Sequence, residues 1–182
     1  MKETMFHKVL FPTDFSAVSR KALEYVKELK ELGTEEIILL HIMRIKYYYL
    51  SEDSFPKDLE GPVEELKKEA RKKMITVGTE LQKRGFKVKA IIAEGLPSSK
   101  IMEVAQKEKV SSIILGSRGK GILRKIFFGS VAEAVVRGSK FPVVVIKDDS
   151  HLKEEVRELP GTEDRMTWRI FHRFKFHGQA GV

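Results

Sequence analysis

The chain has 182 residues, 42% of them hydrophobic and 33% charged, with a net charge of +8 and no cysteine. That length suits one domain of ordinary size with an appendage, and the lack of cysteine excludes disulfides, thiolate metal sites and cysteine nucleophiles. No apolar run approaches the roughly 20 residues that span a bilayer, and the opening MKETMFHKVLF has no signal-peptide core, so a cytoplasmic location without a membrane span is expected. Residues 1–147 carry 28 Lys+Arg against 19 Asp+Glu, and residues 148–182 carry 6 against 7. The excess falls largely on helix-like stretches such as Lys67, Lys68, Arg71, Lys72 and Lys73, interleaved with acids. This reads as a solvated helix face in preference to a nucleic-acid surface.

A short apolar run at 8–11 predicts the first strand. From Ser16, a plausible N-cap, Val18, Ala22, Tyr25, Val26, Leu29 and Leu32 share one helical face, with Gly33 as the stop. Residues 37–42 form a continuous apolar strand. Residues 44–62, with Tyr47, Tyr48, Tyr49, Pro56, Gly61 and Pro62, read as a long loop whose tyrosines either pack locally or stack on a base. Val63, Leu66, Ala70, Met74, Val77 and Leu81 then step at helical spacing up to Gly85, and residues 87–93 predict a third strand. Ser98 is a candidate cap for a helix bearing Ile101, Val104 and Ala105. A fourth strand at 112–115, a Gly-rich basic loop at 116–129, a short helix with Val131, Ala134, Val135 and Gly138, and a fifth strand at 143–146 complete the alternation.

Repeated β-α units with nearly continuous apolar strands predict an α/β, doubly wound fold: a five-stranded, mostly parallel sheet in the order 3-2-1-4-5 with helices on both faces. Residues 1–147 would form this domain and 148–182 a C-terminal extension. In that extension Met166, Trp168, Ile170, Phe174 and Phe176 alternate with basic residues, which fits an edge strand, a dimer contact or a disordered tail. His7 and His41 lie on or beside apolar strands and read as structural, while His151, His172 and His177 lack metal-site spacing. Gly119-Lys120-Gly121 is not a Walker A loop, and no Ser-His-Asp arrangement with a nucleophile turn is present, so no catalytic residue and no metal ligand is assigned.

Two segments carry chemistry. Gly116-Ser-Arg-Gly119, nine residues and then Gly129-Ser130 follow a strand and open a helix. Glycine lets the backbone approach a ligand and present N–H groups, and a helix N-terminus favours an anion. Ser130 can donate to a phosphate oxygen, cap the helix, or do both. Pro12-Thr13-Asp14 follows the first strand. In the order 3-2-1-4-5, strands one and four are neighbours where the winding reverses, so both segments would flank one crevice.

The segments VLFPTDFS, ILLHI at 38–42 and SIILGSRGKGILRKIFFGSVAEAVVRGSKFPVVVIK resemble the universal stress protein family of the ATP-binding kind, over roughly residues 5–147. The resemblance implies that Pro12, Thr13 and Asp14 line the adenine and ribose end and that Ile42 packs on the base. It also places Leu115 and Gly116 near the ribose and first phosphate, and Gly119, Gly129, Ser130 and Val131 on the phosphates. Arg118 stands where the family often has His, and either forks onto phosphate oxygens or points to solvent. The ligand implied is ATP or AMP, with Mg2+ or Mn2+ held through the phosphates. The implied assembly is a homodimer through the last strand, Val143–Ile146, serving an unknown protein partner as a nucleotide-dependent stress-response module. A slow or partner-activated ATPase or phosphotransferase and a scaffold without nucleotide are the alternatives; at most weak hydrolysis is expected.

Overall fold

A computed structural model of the chain describes residues 5–44, 60–117 and 129–147. The extension 148–182, the tyrosine triplet, and Arg118, Gly119, Lys120, Arg124 and Lys125 lie outside the described residues. Within them the chain runs β1 (Lys8–Pro12), α1 (Ala17–Glu28), β2 (Glu36–Met43), α2 (Glu60–Lys83), β3 (Lys87–Glu94), α3 (Pro97–Glu108), β4 (Ser112–Gly116), α4 (Ser130–Gly138) and β5 (Val143–Ile146). The strands form one sheet in the order β3-β2-β1-β4-β5, and every pairing is parallel. This is the α/β order that the apolar pattern predicts.

The period-2 alternation of a strand sorts its side chains between two cores. Val9, Phe11, Ile37 and Leu39 pack with Ala22, Val26 and Leu29 of α1 and Met74 and Leu81 of α2. Leu10, Ile38 and Leu40 pack with Ile101, Val104 and Ala105 of α3 and Ala132 and Val135 of α4. Two helices thus cover each face, which is why 37–40 is apolar without a break: all four residues are fully buried. Burying each such side chain contributes roughly 1.5–3 kcal/mol.

Local signals explain most element boundaries. Ser16 caps α1, its Oγ accepting from the Ser19 N–H at 3.2 Å. The α-helix ends at Glu28, however, and Gly33 (φ +86) sits in the turn beyond. Leu32 is therefore off the buried face, at 59% exposed. Leu66 of α2 is exposed as well; at 100° per residue it lies about 60° from the line through Ala70, Met74 and Leu81. Ser98 does not cap α3. The N-cap is Leu96, and Pro97 occupies the first helical position without any side-chain cap. Proline's fixed φ and missing N–H suit that position.

Ion pairs tie the layers together. Lys27, nearly buried between α1 and α2, donates to Glu24 at 2.7 Å and to Glu80. Burial pushes its ammonium down, but the hydrogen bonds and charges of these two carboxylates prevail and raise its pKa. On the opposite face of the sheet, Lys8 of β1 reaches Glu36 of β2 at 3.3 Å, and Lys89 of β3 donates to Glu108 of α3 at 2.8 Å. The Lys89 hydrogen bond holds the Glu108 carboxyl below its usual range, against the opposing effect of burial.

Candidate functional site at the sheet reversal

The segment after β1 folds into a compact, internally bonded turn. Thr13 N–H donates to the Leu40 carbonyl at 2.8 Å, continuing the β1–β2 ladder. The Thr13 carbonyl accepts from His41 Nδ1 at 2.8 Å, and its hydroxyl shares a hydrogen bond with Ser19 Oγ at 2.7 Å while accepting from Phe15 N–H at 3.1 Å. Asp14 Oδ1 accepts from Ser16 N–H at 3.0 Å. Phe15 adopts φ +60 with its ring 4.6 Å from that of His41, and Arg20 Nη1 donates to its carbonyl at 2.7 Å. His41 is therefore structural, as its place in an apolar strand suggests, and it also lines the cleft.

β4 ends beside this turn. A Cβ on Gly116 would lie 3.0 Å from Val18 Cγ1, 3.3 Å from the Val18 carbonyl carbon and 3.4 Å from Ser19 N. Glycine is thus required here by the approach of α1, in addition to any demand from a ligand. Ser117 then ties β5 to the start of α4. Its N–H donates to the Ile146 carbonyl of β5, and its carbonyl accepts from Gly129 N–H, each at 2.8 Å. The Ser117 hydroxyl is buried without a partner.

Gly129, not Ser130, is the N-cap of α4, and no side chain caps that end. Since a glycine cap has no oxygen to offer, the N–H groups of Ser130, Val131 and Ala132 have no intrahelical acceptor. The first helical bond is Glu133 N–H to the Gly129 carbonyl at 3.0 Å. Ser130 is exposed in the helix's first turn, and the amide of Gly129 is already engaged by Ser117.

These pieces enclose a cleft of about 510 Å³. It brings together Pro12, Thr13, Asp14, Ile42, Leu115, Gly116, Gly129, Ser130 and Val131, all expected from the sequence. It also includes Ser19, Arg44, Pro97, Ile101, Ser117 and Ala132, which the sequence reading did not single out. A signal for them existed. In a parallel sheet every strand ends at the same edge, so the β2 and β3 exits, with Arg44 and Pro97, flank the crevice as the β1 and β4 exits do. Among the described residues, no group of three His, Asp or Glu side chains could hold a metal, and no helix is long and apolar enough to cross a membrane.

The fold and cleft define a class: doubly wound α/β proteins whose ligand crevice opens where the strand order reverses. Residues 5–147 match the universal stress protein family, and the chain belongs to that family. It is 41% identical over 155 residues to universal stress protein MJ0577 of Methanocaldococcus jannaschii, covering 79% of this chain and 96% of the relative. The solved structure of hypothetical protein MJ0577 superposes with a TM-score of 0.72 at 40% identity, covering 81% of this chain and 99% of that one. Two distant structures share the fold: a universal stress protein in complex with cAMP (17% identity, TM-score 0.53, 79% and 98% covered) and one from Archaeoglobus fulgidus in complex with dAMP (19%, 0.56, 79% and 100%).

Proposed function

We propose that the chain binds an adenine nucleotide, ATP or AMP, in this cleft and acts in the cytoplasm as a nucleotide-dependent stress-response module. The observation that carries the reading is the uncapped N-terminus of α4, whose exposed Ser130 and next two residues, Val131 and Ala132, line the crevice with three N–H groups that lack an intrahelical acceptor. A helix end of this kind attracts phosphate through oriented amides and the helix dipole. The neighbouring N-terminus of α1 already carries a side-chain cap, Ser16 Oγ on the Ser19 N–H, with the Asp14 carboxylate beside it, so the anion belongs at α4. Ile42, Pro97, Ile101 and Leu115 give the other part of the cleft an apolar lining suited to a base. Adenine nucleotides also occupy the two distant fold relatives.

A divalent ion, Mg2+ or Mn2+, would be held through the phosphates of ATP, where it neutralises charge on the phosphate chain. Asp14, the one carboxylate that lines the cleft among the described residues, accepts a hydrogen bond within the turn at the end of β1. Hydrolysis is accordingly slow or absent without a partner protein. β5 stands at one edge of the sheet, paired with β4 alone among the described residues, and a second copy pairing along Val143–Ile146 gives the homodimer.

Ligand binding to the folded state alone raises stability by about 2.7 kcal/mol at 100 times Kd. A thermal-shift series with ATP, ADP, AMP and GTP is expected to raise the melting temperature with the adenine nucleotides. No shift with any of them at millimolar concentration removes this function.

A further inference from the structure

Most polar groups of the cleft are already used within the protein. The amide, carbonyl and hydroxyl of Thr13 are all bonded, Asp14 accepts from Ser16, and Ser117 uses both of its backbone groups. What is left among the described residues is dominated by donors. At one end are the leading amides and hydroxyl of α4. At the other is Arg44, an exposed lining residue immediately after β2 for which no hydrogen bond or ion pair to another described residue is found.

These two ends are separated by the sheet itself. Arg44 follows β2, α4 follows β4, and β1 lies between those strands, so the strands that lead to them are two spacings, about 10 Å, apart. Arg44 also follows Ile42 and Met43 along β2, on the side of the cleft lined by Ile42, Pro97 and Ile101. A nucleotide whose phosphate sits on α4 extends its base toward that side. A guanidinium is planar and weakly hydrated, lies readily against an aromatic face, and forks N–H groups onto ring nitrogen acceptors.

We infer that Arg44 is a specificity-determining residue that contacts the purine base, closing the apolar end of the cleft, and leaves the phosphate chain to α4. This rests on the nucleotide reading above and deepens it. The inference separates base recognition from phosphate recognition: Arg44 reads the part of the ligand that ATP, ADP and AMP have in common.

The test is calorimetric titration of the full chain and of Arg44→Met with ATP, ADP and AMP. Methionine keeps an unbranched stem in place of arginine's and removes the guanidinium with its donors and charge. Because Arg44 is exposed and unpaired among the described residues, the ligand-free variant is expected to melt with the native chain. The expected result is a loss of about tenfold in affinity, equal for the three nucleotides. A loss that grows with the number of phosphates overturns the inference by placing Arg44 on the phosphate chain, and unchanged affinity overturns it outright. In both cases the native chain still binds and the nucleotide function stands. A native chain that binds none of the three overturns both.

Discussion

Phe15 occupies the left-handed region at φ +60, which costs a residue with a Cβ about 1–2 kcal/mol. The Arg20 bond to its carbonyl, the bond from its N–H to Thr13 and the His41 ring hold it there. The strain sits in the turn that sets the wall of the cleft, between β1 and the α1 cap. Gly116, which lines the cleft at the end of β4, answers to the same helix. Its Cβ would meet the Val18 backbone as well as the Val18 side chain, and backbone cannot rotate away. Gly116→Ala is therefore expected to destabilise the fold by about 1–3 kcal/mol in urea unfolding. Gly138→Ala is the contrast. There the close atoms belong to the flexible thioether of Met102, and alanine also favours the helix, so its expected effect is close to zero.

At the scale of elements, the two helix N-termini beside the cleft differ in one decisive respect. α1 is closed by the Ser16 and Asp14 side chains, whereas α4 starts from a bare Gly129. A sequence pattern distinguishes these poorly. Ser16 and Ser130 both stand at a helix start preceded by loop residues, and only the backbone path shows that one is the cap and the other the first helical residue. Ser98 fails for a similar reason: Pro97 fills the first helical position and moves the cap to Leu96. The joints between elements also carry a pH signature. The Lys89 bond keeps Glu108 below its usual range, with the charges of Lys8 and Lys107 adding to it. A depressed carboxyl stabilises the fold above its unfolded pKa and loses that contribution as pH falls through the folded value. Stability is thus expected to drop below about pH 4.5 in part through Glu108. Glu108→Gln is expected to lose about 0.5–1 kcal/mol at pH 7 and to show a shallower acid dependence, read from unfolding midpoints between pH 3 and 7.

The whole molecule places its crevice by topology. With β1 at the centre and β4 beside it, the chain winds outward in both directions, and the crevice opens at the carboxyl ends where the winding turns. That much was legible in the sequence because the apolar runs at 37–40 and 112–115 demand burial on both faces, and parallel crossovers leave few arrangements for them. The cleft segments were legible because they sit directly after strands. Arg44, Pro97 and Ile101 were not, since their residue types suit any loop or helix start and only the shared edge of the sheet gathers them. Leu32 and Leu66 show the converse: apolar residues at helical spacing stay exposed where the chain leaves the helix or lies at the flank of its buried stripe. The family to which the chain belongs and the path of its sheet fix the scaffold, and the anion end of the cleft is the claim on which its function turns. The direct measurement is an amide 15N–1H titration of the full chain with AMP. The largest, jointly saturating shifts are expected at Ser130, Val131 and Ala132; shifts that leave these amides still, or that concentrate on the far edge along β3, contradict the account.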